Sequence, residues 1–152
     1  MRDIFQESVI IHLDPDVVWS YFIDMEKNAP EWMAGISSIE KTTSGPIQEG
    51  TIFTFHTRGK DHVTKVTEYV QNNKVTLTSK QGNFQADYTY HFSAENRNTV
   101  VTLHVKCKAK GMSKLLTPII SAAIKKTDGR QLEQLQSALA KRVNETKGGH
   151  PL

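Results

Sequence analysis

One cysteine, Cys107, stands in the 152-residue chain, so no internal disulfide can form and a reducing, cytoplasmic setting is the expectation. No stretch approaches the roughly 20 apolar residues needed to cross a bilayer. The opening residues, MRDIFQESVI, read as a strand and lack the apolar core of a secretory leader. Without a leader, Asn144-Glu145-Thr146 matches the glycosylation triplet only by chance. His12, His56, His62, His91, His104 and His150 include no pair at HExxH spacing, and one thiol cannot build a thiolate cluster, so no metal site is expected. GxSxG, Gly-rich phosphate loops and Cys–His signatures are also missing, and RGKD at 58–61 reads as a hairpin turn. The formal charge is only +3, with the cations concentrated late, at Lys106, Lys108, Lys110, Lys114, Lys125, Lys126, Arg130, Lys141 and Arg142. That basic run has no exposed aromatics beside it and no nucleic-acid motif, so it reads as a solvated face.

What is present is a regular alternation of short elements. Residues 3–13 read as a strand; Asp14 then stands as an N-cap with Pro15 at the first helical position, where a missing N–H costs nothing. Val18, Tyr21, Phe22 and Met25 recur at i, i+3, i+4 and i+7, giving the first helix one apolar stripe. Asp24 opens a second short helix, which Pro30 disturbs, and Trp32 and Met33 follow. Strand-like runs at 35–42, 50–57, 62–70, 74–80, 84–93 and 99–110 are separated by Gly-, Asn- and Asp-rich turns. Links so short require antiparallel neighbours. A long helix from 113 to 145 closes the domain, with 146–152 as a flexible tail. The fold class is therefore α+β: a curved seven-stranded antiparallel sheet with helices on one face.

Requiring apolar residues to share a face sets a strand register. It pairs Phe92 with Val101, Tyr90 with Leu103, Tyr88 with Val105 and Ala86 with Cys107, placing Asp87 opposite Lys106 on the other face. Further along it pairs Leu77 with Ala86, Val75 with Tyr88, Glu68 with Leu77, Val66 with Ser79, Phe53 with Val66 and Thr51 with Glu68. The inward face so defined mixes bulk with small residues, Ala86 and Cys107, and with the polar groups of Thr51, Glu68, Ser79, Tyr88 and Tyr90. A carboxylate there needs a partner, a shifted pKa or water. Thr127 and Asp128 interrupt the apolar stripe of the long helix, and Gly129 allows a close approach or a bend. An apolar concavity with a few polar groups describes a small-molecule site.

The residues Asp14-Pro15, Val18-Trp19, Phe22, Asp24, Pro30 and Trp32, then VTEYVQNNKVTLTS, then KLLTPIISAAIKKTDGRQLEQLQSAL, occur in an order that resembles the START-like (SRPBCC) helix-grip superfamily. The polyketide cyclase/dehydrase-like branch, a bacterial one, is the most similar. Gln71-Asn72 departs from the proline turn usual at that point. The resemblance implies a sheet gripping the C-terminal helix around a hydrophobic cavity. Its motifs are structural and carry over no catalytic residue, and fold alone does not fix function.

Together these observations predict a cavity lined by Trp32, Phe53, Val66, Glu68, Leu77, Ala86, Tyr88, Tyr90, Leu103, Cys107, Leu116, Ile120 and Ile124. The ligand class is a small hydrophobic or amphipathic molecule: a lipid, quinone, polyketide or aromatic. No cofactor, metal, nucleic acid or membrane insertion is expected, and the chain is expected to be a monomer or weak homodimer. An enzymatic alternative gives Glu68, desolvated beside Tyr88 and Tyr90, the role of general acid or base in cyclisation or dehydration. A protein-interaction module using the outer sheet or basic helix is a third possibility.

Overall fold

The computed structural model describes residues 1–57 and 59–148, without the side chains at 112, 113, 116 and 145–148. Arg58, the Leu116 side chain and His150 of the expected tail lie outside the described residues. Strand β1 (Arg2–Ile11) leads into helices α1 (Pro15–Ile23) and α2 (Met25–Trp32). The meander follows: β2 (Ile36–Lys41), β3 (Ile52–Thr57), β4 (Lys60–Val70), β5 (Lys74–Gln81), β6 (Phe84–Glu95) and β7 (Asn98–Ala109). All seven strands form one antiparallel sheet in the order β1-β7-β6-β5-β4-β3-β2, so the first strand adds itself beside the last. Links of two or three residues join the strands from β3 to β7, while a longer one, 42–51, joins β2 to β3; at the β6–β7 turn Asn96 and Arg97 both take positive φ, +50° and +69°, as a twisted hairpin requires.

Pro15 stands at the start of α1 as its fixed φ favours, and Asp14 occupies the cap position although its side chain makes no capping bond. Val18, Trp19, Tyr21 and Phe22 are buried, together with Met25, Ala29 and Trp32 of α2. These residues meet Tyr90 and Phe92 of β6 in an aromatic cluster, with the Phe22 ring 4.7 Å from Tyr90, 5.0 Å from Phe92 and 5.6 Å from Trp32. Such tilted and edge-on pairs add stability beyond the area they bury.

The long C-terminal helix is present but jointed. A single 3₁₀ stretch (Gly111–Leu116) leads into α3 (Thr117–Asp128), and α4 (Gln131–Gly148) follows after a break at Gly129 and Arg130. Residues 146–148, assigned to the tail from sequence, are helical. A β-carbon on Gly129 would stand 2.4 Å from the Lys125 carbonyl oxygen, so the joint closes to a distance only glycine permits. In an unbroken helix the Leu132 N–H would bond to the carbonyl four residues back. Here it donates to Glu7 Oε1 of β1 at 2.8 Å, so a strand carboxylate caps α4. Burial raises the Glu7 pKa despite that bond. Leu132, Leu135 and Leu139 fix α4 to the core at i, i+3 and i+7. On α3, by contrast, Thr117 is the only buried residue among those described.

Candidate functional site

The β6–β7 register is the one the alternation predicts: Ala86 pairs with Cys107, Tyr88 with Val105, Tyr90 with Leu103 and Phe92 with Val101, with Asp87 opposite Lys106. Farther along the meander the pairing slips. Leu77 faces Tyr88 and Ser79 faces Ala86, two residues from expectation, and Phe53 faces Thr64 rather than Val66. A two-residue slip leaves each side chain on its own face, so Leu77 and Phe53 still point inward. The β4–β5 pair is different, because a bulge falls between Val66 and Glu68.

That bulge turns Glu68 onto the outer face of the sheet, correcting its expected place in the cavity. Its side chain is 47% exposed, Lys74 Nζ lies 2.9 Å away, and the Thr76 hydroxyl donates to it at 3.1 Å. The Lys74 ammonium chiefly holds its carboxyl below the usual carboxylate range. A solvated, paired carboxylate with a lowered pKa is the opposite of a desolvated acid/base.

A cavity of about 540 Å³ opens between the concave face of the sheet and α3. Leu77, Ala86, Tyr88 and Tyr90 line it from the sheet, and Ile120 and Ile124 from α3. Trp32, Phe53, Val66, Leu103 and Cys107 do not. They face the same interior but are packed into the core, from 0 to 2% exposed, because the helices α1, α2 and α4 fill the space above much of the sheet. Cys107 lies with its Sγ 3.9 Å from Ser121 Oγ, under α3 rather than on the cavity wall. Lining residues the sequence did not single out for the site are Met33, Ala34, Ile36, Phe55, Thr57, His62, Thr64, Ser79, Gln81, Phe84, Thr127, Asp128 and Gln131. The interruption of the helical apolar stripe by Thr127 and Asp128 was the available signal for two of them. For Phe55 and Thr57 on β3 and for His62 and Thr64 on β4 the signal was the period-two alternation, which sets them on the same face as Phe53 and Val66.

The polar groups gather where the sheet meets the helical joint. The Tyr88 hydroxyl donates to Asp128 Oδ2 at 2.5 Å, and the Tyr90 hydroxyl donates to Gln131 Oε1. Asp128 closes α3 and Gln131 opens α4, so the break presents both side chains to two tyrosines that alternate along β6. Burial raises the Asp128 pKa, a shift the Tyr88 donor partly opposes. Burial also pushes both phenols far above their ordinary value, with the Asp128 carboxylate adding to the effect. At the other end, His62 and Gln81 bond side chain to side chain beside Thr57. No lysine or arginine lines the cavity among the described residues, so the only full negative charge on its wall has no cationic partner there. Among the described residues, no group of three or more His, Cys, Asp and Glu side chains is arranged so that it could hold a metal ion. No described helix is long and apolar enough to cross a membrane.

Comparison with known proteins places this architecture. The Zhui aromatase/cyclase from Streptomyces sp. R1128 superimposes with a TM-score of 0.70 at 11% identity, over 91% of this chain and 94% of that one. A point mutant of norcoclaurine synthase from Thalictrum gives 0.67 at 17% identity, over 94% of each chain. A START superfamily protein from Mycobacterium smegmatis gives 0.66 at 17% identity, over 93% and 97%. At such identities the likeness speaks for the helix-grip fold alone. No curated protein sequence matches the chain. The family model described as polyketide cyclase/dehydrase and lipid transport matches residues 2–140, nearly the whole domain, and the chain belongs to that family.

Proposed function

We propose that the protein binds one small amphipathic molecule in the cavity beneath α3. Its apolar body lies against Leu77, Phe84, Ile120 and Ile124, and its polar group meets the Tyr88–Asp128 and Tyr90–Gln131 pairs. The observation that carries this reading is the uncompensated Asp128 carboxyl facing Tyr88 in a cavity of about 540 Å³. A carboxyl with no cation beside it on the wall repels a second anion at low dielectric. The favoured ligands are therefore neutral or cationic molecules bearing carbonyl, hydroxyl or amine groups, such as quinones, polyketides and phenols. Fatty acids and other anions are disfavoured. Native mass spectrometry of the purified protein, followed by thermal shifts against neutral polyphenols, quinones and fatty acids, tests the reading. Neutral ligands should stabilise the parent, and Ala86→Phe, which places a ring in the cavity, should abolish that shift while leaving the ligand-free melting temperature close to the parent's. Absence of any bound mass or shift, or equal stabilisation by fatty acids, would count against it.

The same pair supports a catalytic second reading. Asp128, with its proton affinity raised by burial, is placed to take a proton from a carbon beside a substrate carbonyl and deliver one to a departing hydroxyl, which leaves as water. Tyr88 would turn its one hydroxyl proton from Asp128 to the substrate's carbonyl oxygen, leaving the carboxylate to take the proton from carbon. Asp128→Asn should then stop dehydration of a polyketone while ligand binding persists; unchanged turnover would remove catalysis from this residue.

A further inference from the structure

On its outer side α3 carries a second apolar surface that no described part of the protein covers. Leu115 is 73% and Ile119 67% exposed, one helical turn apart, where a soluble protein has no packing reason to place two large aliphatics. Ala122 and Ala123 continue the exposed face. Lys110 and Lys114 stand before it, and Lys125 and Lys126 follow about 10 Å beyond Ile119. No described ion pair engages these four lysines. The charge is also segregated along the chain: between Glu95 and Asp128 stand seven lysines and arginines and no acidic residue, in a protein whose formal charge is only +3.

From this we infer that the face of α3 and the preceding 3₁₀ turn adsorbs to an anionic lipid bilayer, with Leu115 and Ile119 entering the headgroup–acyl boundary and the lysines at either end meeting lipid phosphates. Two large aliphatics are too small an apolar area for a stable protein partner. An apolar patch bracketed by cations on one short helix suits an interface whose charge is spread in a plane. The lysine stems reach back along the helix while their ammonium groups stay at the phosphates. The opposite face of α3 is the cavity wall formed by Ile120 and Ile124, so adsorption places the covering helix, and the mouth beneath it, at the membrane surface. The inference stands on the outer face and holds whether or not the cavity is filled.

Flotation of the full chain with phosphatidylcholine vesicles, with and without phosphatidylglycerol, tests it. The parent should float with the anionic vesicles, remain behind with neutral ones, and be released by salt. Lys125→Gln with Lys126→Gln should lower partitioning about 25-fold, at about five-fold per lysine. Leu115→Ser with Ile119→Ser should lower it at least about ten-fold with no loss of melting temperature, since both side chains are already in solvent. Failure to float with anionic vesicles overturns the inference. So does flotation of the Leu115/Ile119 variant equal to the parent's, which would leave charge alone as the cause. Concentration-dependent dimerisation that the same variant abolishes would assign the face to a second copy and overturn it as well.

Discussion

The two ends of the concave face are made by the same alternating strands and end in opposite ways. Under α1, α2 and α4 the strands present Tyr90, Phe92, Val101 and Leu103, and the helices answer with Trp19, Phe22, Trp32, Leu132 and Leu135, all within 3% of full burial. Under α3 the strands present Thr64, Ser79 and Ala86, and the helix answers with two aliphatics, Ile120 and Ile124, and the polar Thr127 and Asp128, leaving about 540 Å³. Tyr90 stands between the two: its ring packs on Phe22 while its hydroxyl bonds to Gln131 at the edge of the open space. Polarity alternation decides which face turns inward; the volume of the inward side chains decides whether that interior is core or cavity.

The largest effect should come from breaking the filled end. Phe22→Ala removes the ring that touches Trp32, Tyr90 and Phe92, and should lower stability by about 3–5 kcal/mol in denaturant melts. A loss under about 1 kcal/mol would mean the two ends differ less in packing than their side chains imply.

Asp128→Asn sharpens the comparison at the hollow end. Burial raises the folded pKa of Asp128 above 3.8, so the folded state holds this proton more tightly than the unfolded chain. Its contribution to stability is full below that value and is lost as pH rises through the folded pKa. The asparagine variant should lack this dependence and melt higher than the parent at neutral pH, while Tyr88 still donates to the amide oxygen. Thermal melts from acid to neutral pH read the crossover; parallel curves would show that Asp128 is not strained by its surroundings.

The smallest effect belongs outside both ends. Glu68→Gln exchanges a half-exposed carboxylate paired with Lys74 and should change stability by no more than about 0.5 kcal/mol, with ligand-induced thermal shifts intact. Loss of those shifts would return Glu68 to the site.

The contrast between Glu68 and Asp128 also shows what was legible in the chain. The β6–β7 hairpin was readable because its alternation is long, its turn short and its Asp87–Lys106 pair consistent with one register. The helix-grip order was readable from the Asp14-Pro15 start, the turn spacing and the apolar stripe at the end. The β4 bulge was not, because one inserted residue leaves no mark on composition; VTEY reads as clean alternation although Glu68 lies beyond the slip. Where registers slipped by two, inward residues stayed inward, so Leu77, Ala86, Tyr88 and Tyr90 were found without the correct partners. Core and cavity residues on one face could not be separated, because the space above Leu103 or Cys107 depends on which helix lies over it. Asp128 and Thr127 were visible as interruptions in an apolar stripe, but pairing Asp128 with Tyr88 needed the joint at Gly129.

That joint has a consequence for how the molecule melts. Helix formation is cooperative only while the ladder of backbone bonds is continuous, and each new segment must be nucleated afresh. With Leu132 anchored to Glu7 instead of to the preceding turn, α4 is nucleated by the sheet, and α3 is left as a twelve-residue segment of its own. A helix of that length is marginal in water. Its amides should therefore exchange with solvent through local opening, well before those of α4, making the cover of the cavity the least cooperative part of the fold.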